Sequence, residues 1–397
     1  MRFFYILILS FLWSCESHVS TGLDNFISHN FNIIQHKNVG LIINHTSVDK
    51  AGNHIVDLLS IEPSINVLKI FSPEHGYMGT KSAGELVNDD IEPLTGAKIV
   101  SLYGVDKKPS PQELENIDVL VYDIQDIGSR YYTYVSSMAY MMDVAAENDI
   151  PFIILDRPNP LGRKISGPIL NKEFSSFVGM FPIPIRHGMT TGELAVMINS
   201  ENWLPSGKKV ELKIIEVSGW DKLPGYFTVS PSPNILNYNS ALIYNGMCLL
   251  EGTNISEGRG TEFPFTLFGA PWINGDELAK ALNQLEFDGV SFESVSFTPL
   301  SSAKSKWPKY ENELCNGCQI ILANSENYKP IYTATQIIIQ ISELYPERFK
   351  FLNTNFIDKL YGSKKLRLWV ESPENTFNLY KDWETQFPVL REQYLIY

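Results

Sequence analysis

The feature that most constrains this chain is a repeated alternation in its first 155 residues. Short apolar runs at Val39–Asn44, Val67–Phe71, Lys98–Tyr103, Asp118–Tyr122 and Pro151–Leu155 are separated by stretches that suit helices or turns. Runs of four to six apolar residues with no polar alternation are what a strand buried on both faces requires. Strands spaced by helices imply βαβ units. The expected fold class is therefore α/β, with a doubly wound, mostly parallel sheet. In such sheets ligands sit outside the carboxyl ends of the strands. Here those ends carry Asn44, then Glu74 and His75, then Tyr103, then Asp123, Asp126 and Arg130, then Asp156, Arg157 and Asn159. No G-x-G-x-x-G follows the first run and no Walker loop occurs, so no nucleotide cofactor is expected.

Further along, Pro182–Gly188 is extended by its two prolines and delivers Arg186 and His187. Thr190 with Glu193 reads as a capping box opening the helix Leu194–Asn199, which makes Glu193 structural. Residues 251–262 hold three Glu, one Arg and three Gly between strongly apolar flanks, which marks Glu257 and Arg259 as a second candidate site loop. Beyond it come a helix at Asp276–Leu285, strands at Gly289–Phe297 and Gly317–Ala323, a helix at Ala334–Leu344 and a last helix at Thr376–Glu392. The expected organisation is a leader at 1–15, a tether and first helix at 16–38, a catalytic domain at 39–230 and a smaller α/β domain at 231–397 that closes the cleft.

The leader reading rests on Phe3–Trp13, an apolar run of signal-peptide length after Met1-Arg2. A small residue before Cys15 resembles a bacterial lipoprotein cleavage site. The expectation is an exported lipoprotein facing the periplasm, touching membrane only through that anchor, since no later run is long enough to span a bilayer. The formal charge of −13 excludes nucleic acid as a natural partner, because phosphates call for a basic surface. Cys315-Asn316-Gly317-Cys318 lacks a second metal-binding pair, so it reads as a local disulfide or as two buried thiols.

For chemistry, no G-x-S-x-G elbow and no H-E-x-x-H spacing is present, and no metal is assigned. Paired carboxylates fit better: glycoside hydrolysis needs one carboxylic acid for the leaving oxygen and a second carboxylate for water or attack. The catalytic candidates are Glu74, His75, Asp123 and Asp126. The substrate-binding candidates are Asn44, Tyr103, Arg130, Asp156, Arg157, Asn159, Arg186, His187, Glu257 and Arg259.

Six segments then matter together: SPEHG at 72–76, YDIQDIGSRYYTY at 122–134, LDRPNP at 155–160, RHGMTTGEL at 186–194, PSPN at 231–234 and EGTNISEGRGTEFPF at 251–265. In this order they resemble the exo-β-N-acetylmuramidase family of the NamZ type, over nearly the whole chain from Val39. The resemblance implies a Rossmann-like domain plus a smaller C-terminal domain with the site between them. It also implies release of terminal N-acetylmuramic acid from the non-reducing ends of peptidoglycan fragments, and Glu74 as the key acid. One departure is Arg163, where the family pattern has a second glycine after Gly162. The substrate's lactyl carboxylate calls for an arginine fork, and Arg130, Arg157, Arg186 and Arg259 all lie in the shared segments. The competing classes are a non-catalytic wall-binding lipoprotein and a metal-dependent hydrolase of wall material.

Overall fold

The computed structural model describes residues 19–81, 90–104, 107–372, 378–380, 383 and 386–397. The leader and Cys15 lie outside the described residues. So does most of the segment expected to open the last helix, of which Phe387–Glu392 is helical.

The first domain is built on a seven-stranded sheet. Its strands are β1 (Asn38–Ile43), β2 (Asn66–Ser72), β3 (Asp90–Ile91), β4 (Lys98–Ser101), β5 (Val119–Asp123), β6 (Phe152–Leu155) and, after the hairpin β7 (Ser166–Ile169) and β8 (Pro184–Arg186), β9 (Leu212–Ile215). The order is β3-β4-β2-β1-β5-β6-β9, and every pairing is parallel except β3 with β4. Strand β5, beside the central β1, is buried along its whole length, as its VLVYD sequence requires. The fold is thus the expected doubly wound α/β sheet. The short β3 and β7 have no readable pattern of their own, whereas β8 falls within the segment Pro182–Gly188 expected to be extended.

Each face of the sheet is covered. On one side lie Leu23, Phe26 and Ile34 of the N-terminal segment and Ile55, Val56 and Leu59 of the helix Ile55–Ser60. The first helix expected within 16–38 is irregular there: one turn of α-helix (α1, Gly22–Asn25) passes into a π turn and then a 3-10 turn. On the other side pack α2 (Tyr134–Glu147) and α3 (Thr191–Ser200). The Thr190–Glu193 capping box forms, with Glu193 N–H donating to Thr190 Oγ1 at 3.2 Å and Thr190 N–H to Glu193 Oε2 at 2.9 Å. Arg163 makes a two-pronged ion pair with the same Glu193 and lies 5.1 Å over the Trp220 ring. The residue that departs from the family pattern is thereby a structural clamp on the α3 start.

The second unit is an antiparallel three-stranded sheet, β10 (Leu267–Ala270), β12 (Cys315–Leu322) and β11 (Val290–Phe297), in that order, with α4 (Tyr238–Met247), α5 (Gly275–Asn283) and α6 (Pro330–Leu344). Its core is continuous with that of the first domain: Met138 and Phe152 belong to the same buried cluster as Phe268 and Ile337. Cys315 and Cys318 are both buried and free. Three residues apart on one strand, they sit roughly 10 Å apart, beyond disulfide reach. Burial pushes each thiol up to about 12. The two-thiol reading holds and the disulfide reading does not.

Candidate active site

Between the two units lies a cavity of about 440 Å³. The first domain contributes Glu74 and His75 from the end of β2, Tyr103 after β4, and Tyr131, Tyr132 and Thr133 ahead of α2. The second contributes Ser232, Asn234, Glu251, Glu257, Arg259 and the 305–309 segment.

The β2 exit is bent to present its acid. His75 has φ +71°, a left-handed conformation that a non-glycine residue adopts at a cost, followed by Gly76 at +74° and Gly79 at +64°. A Cβ on Gly79 would stand 1.8 Å from the His45 ring, so this turn closes only with glycine there. Thr133 precedes α2, but its hydroxyl does not cap the helix; it donates to Glu74 Oε2 at 2.7 Å. His75 Nδ1 lies 2.7 Å from the Lys81 carbonyl. A carbonyl only accepts, so the proton sits on Nδ1. Burial pushes this imidazole below its ordinary value, against the pull of Glu74, and the ring is neutral near pH 7.

The opposite wall is an ion cluster. Arg259 Nη2 donates to Glu251 Oε1 at 2.6 Å, its Nε lies 3.6 Å from Glu257 Oε1, and its guanidinium lies 5.0 Å from the Phe265 ring centroid. Lys309 Nζ donates to Glu257 Oε2 at 2.9 Å and to the carbonyls of Leu250 and Ile255 at 2.8 and 2.9 Å. Burial pushes the Glu257 carboxyl up, but Lys309 and Arg259 outweigh it and hold the group below the usual carboxylate range. The ammonium of Lys309 spends its three donors inside the wall; Arg259, which also borders the cavity, turns its Nη2 and Nε toward Glu251 and Glu257.

Among the sequence candidates, the cavity brings together Glu74, His75, Tyr103, Glu257 and Arg259. The others are placed elsewhere. Asp123 and Arg157 form a fully buried two-pronged pair, Nε to Oδ1 at 2.5 Å and Nη2 to Oδ2 at 2.8 Å, beneath the rim. Asp156 accepts from Thr190 Oγ1, Gly192 N–H and Tyr397 Oη, tying α3 and the last residue to β6. Asn159 bridges Leu161 N–H and the Met189 carbonyl, and Asn44 Oδ1 holds the turn at Thr46. Arg130 gives its fork to the carbonyls of Pro168, Ile183 and Leu360, joining the two units, and Arg186 donates to the Leu161 carbonyl. These groups do not line the cavity, and the 230–235 connector is anchored at the rim beside them. Tyr132 Oη donates to the Pro231 carbonyl at 2.9 Å, and His45 Nε2 meets the Ser230 carbonyl at 2.8 Å.

Asp126 and His187 are buried together, with Nε2 3.8 Å from Oδ2. Burial pushes Asp126 up to about 7 and His187 down to about 3. Folded, Asp126 keeps its proton to about pH 7; unfolded, it releases it near its ordinary 3.8. Across that interval the folded state binds more protons, so its contribution to stability is lost as pH rises. Asp126→Asn should therefore change stability relative to wild type in a pH-dependent way, gaining on it between about pH 4 and pH 8. Urea midpoints at the two pH values check this.

Thr133, Lys309 and Trp307 are among the cavity residues that escaped sequence reasoning. Thr133 reads as an ordinary helix start, and Lys309 and Trp307 lie in a polar stretch, SSAKSKWPKYENE, with no catalytic spacing. Among the described residues, no group of three or more His, Cys, Asp or Glu is placed to hold a metal ion.

Comparison with known proteins agrees with the two-unit layout. Residues 39–239 match the family model of the exo-beta-N-acetylmuramidase NamZ N-terminal domain, and residues 242–397 that of its C-terminal domain. The chain is 42% identical over 388 residues to the peptidoglycan beta-N-acetylmuramidase NamZ of Bacillus subtilis (strain 168), covering 96% of this chain and 91% of that protein. It is similar to two crystal structures of DUF1343 family proteins from Bacteroides fragilis NCTC 9343. Both are 33% identical over 96% of this chain and 99% of theirs, with TM-scores of 0.85 and 0.76.

Proposed function

The chain belongs to the NamZ family of exo-β-N-acetylmuramidases, and we propose that Glu74 is the acid that protonates the leaving oxygen as N-acetylmuramic acid is released. The chain is a glycoside hydrolase acting on peptidoglycan-derived material. The observation that carries the assignment of Glu74 is its placement: a carboxyl on a strained turn, oriented by Thr133, facing a cavity whose other wall carries the second loop's carboxylates. His75, neutral, buffers its flank. The partner carboxylate, which activates water or holds the sugar's acetamido group, comes from Glu251 or Glu257 rather than from Asp123, Asp126 or Asp156, which do not line the cavity.

Charge supports the substrate. The cavity wall holds Glu74, Glu251 and Glu257 against Arg259, Lys306 and Lys309. Those three cations give the wall a means of meeting the one carboxylate by which N-acetylmuramic acid differs from N-acetylglucosamine. Of the four candidate arginines, Arg259 is the one that borders the cavity, and its planar fork suits that group. Arg259→Lys keeps the charge that neutralises Glu251 and Glu257 but loses the fork. The preference for a chromogenic β-N-acetylmuramide over the matching glucosaminide, measured as a ratio of kcat/KM, should fall by about tenfold or more. An unchanged ratio would reassign the lactyl contact. Activity in the parent that withstands a chelator separates this reading from a metal-dependent hydrolase, and binding without turnover would favour a wall-binding protein.

Export belongs to the same reading. The apolar run Phe3–Trp13 and Cys15 support a lipid-anchored protein facing the periplasm, where peptidoglycan fragments arise. Palmitate labelling of the wild type that disappears in Cys15→Ser tests it.

A further inference from the structure

Trp307 combines two costs that packing does not repay. Its side chain is 77% exposed, and its backbone has φ +50°, a left-handed conformation that is an outlier for a bulky residue. Strain of this kind persists where surrounding structure imposes it, and such residues cluster at ligand sites. The surroundings here do impose it. Trp307 N–H donates to Ser301 Oγ at 3.1 Å, Ser302 and Ser305 close a turn at 2.8 Å, and Asn234 Nδ2 donates to the Lys304 carbonyl at 3.1 Å. On the other side, a Cβ on Gly260 would stand 2.8 Å from Pro308 Cγ, so the Trp307-Pro308 corner is seated directly against the residue after Arg259. The backbone that carries the indole is therefore fixed at the edge of the same cavity as Glu74.

The cavity has a closed end and an open one. Tyr131, Phe265 and Glu257 line it while almost wholly buried, whereas Trp307 and Lys306 line it from the exposed side. An enzyme that removes a terminal sugar holds that sugar in the closed end and lets the rest of the chain leave through the mouth. We propose that Trp307 is the stacking platform for the first sugar on the leaving side of the scissile bond, an N-acetylhexosamine whose apolar face covers the indole. The inference rests on the glycosidase reading above and adds the residue that distinguishes a saccharide leaving group from a small one. Stacking recovers the apolar area that the free protein leaves in water.

The test compares wild type, Trp307→Phe and Trp307→Ala on two substrates: the disaccharide N-acetylmuramyl-β-1,4-N-acetylglucosamine, and β-N-acetylmuramyl fluoride, whose leaving group is too small to stack. Trp307→Ala should lower kcat/KM on the disaccharide by about tenfold, chiefly through KM, and leave the fluoride within about twofold. Trp307→Phe should recover most of the loss. Chitobiose, which resembles the leaving side, should inhibit the alanine variant about tenfold more weakly than the wild type. An equal loss on both substrates, or none on the disaccharide, overturns the proposal. If the wild type cleaves neither substrate, the glycosidase reading fails by itself, and calorimetric binding of chitobiose to wild type and Trp307→Ala then decides on Trp307: equal affinity or no binding overturns it.

Discussion

Glu74→Gln is expected to lower kcat on a β-N-acetylmuramide with a poor leaving group by about 10³-fold while leaving KM within a few-fold. Proton donation by a positioned side chain is worth roughly 10²–10⁴ in rate. An amide keeps the size and the acceptor for Thr133 Oγ1, which now lies 2.7 Å from Glu74 Oε2, but it has no acidic proton to give. Substrate should therefore still enter a cavity of unchanged shape. The deficit should shrink on a substrate whose leaving group is acidic enough to depart without help, such as a nitrophenyl glycoside. A variant that turned over both substrates at near wild-type rates would remove Glu74 from the chemistry. A variant equally impaired on both would instead point to a role at the anomeric carbon.

The same comparison bears on how the site is partitioned. In a parallel sheet, the rule that ligands lie at the carboxyl ends of strands selects every polar group on the rim. It selects Glu74, His75 and Tyr103, which line the cavity because β2 and β4 lead into the cleft. At β1, β5 and β6 it selects Asn44, Asp123, Asp126, Asp156, Arg157 and Asn159, which do not line it. There the 230–235 connector is anchored at the rim and the polar groups turn inward on one another, Asp123 to Arg157 and Asp156 to the start of α3. Whether a rim residue faces a ligand or a neighbour depends on which distant segments it meets, and no local pattern encodes that. The β-strands were legible because burial on two faces demands apolar runs. The capping box at Thr190 was legible because its two partners are three residues apart. Thr133 and Lys309 were not, because each acquires its role through a contact made only in the folded chain: Thr133 with Glu74 59 residues away, Lys309 with Glu257 52 residues away.

Asp123→Asn should therefore behave as a stability variant rather than a catalytic one. The carboxylate meets Arg157 through two hydrogen bonds, and both side chains are inaccessible to solvent. Burial pushes the Asp123 carboxyl upward and the Arg157 fork opposes it, so the pair persists only because the geometry is two-pronged and Arg157 Nη2 also reaches the Val48 carbonyl at 3.0 Å. Removing the negative partner leaves a guanidinium buried without its counter-charge, a loss of about 3–5 kcal/mol. In a chain of this size the melting temperature should fall by about 4–6 °C. Replacing both groups with apolar side chains, Asp123→Leu with Arg157→Met, should recover much of that loss, because neither ion then needs desolvating. In each variant kcat per folded molecule should stay within about threefold of wild type, since neither residue borders the cavity. The opposite pattern, an unchanged melting temperature with turnover abolished, would return Asp123 to the reaction and require the connector at the rim to lift during catalysis.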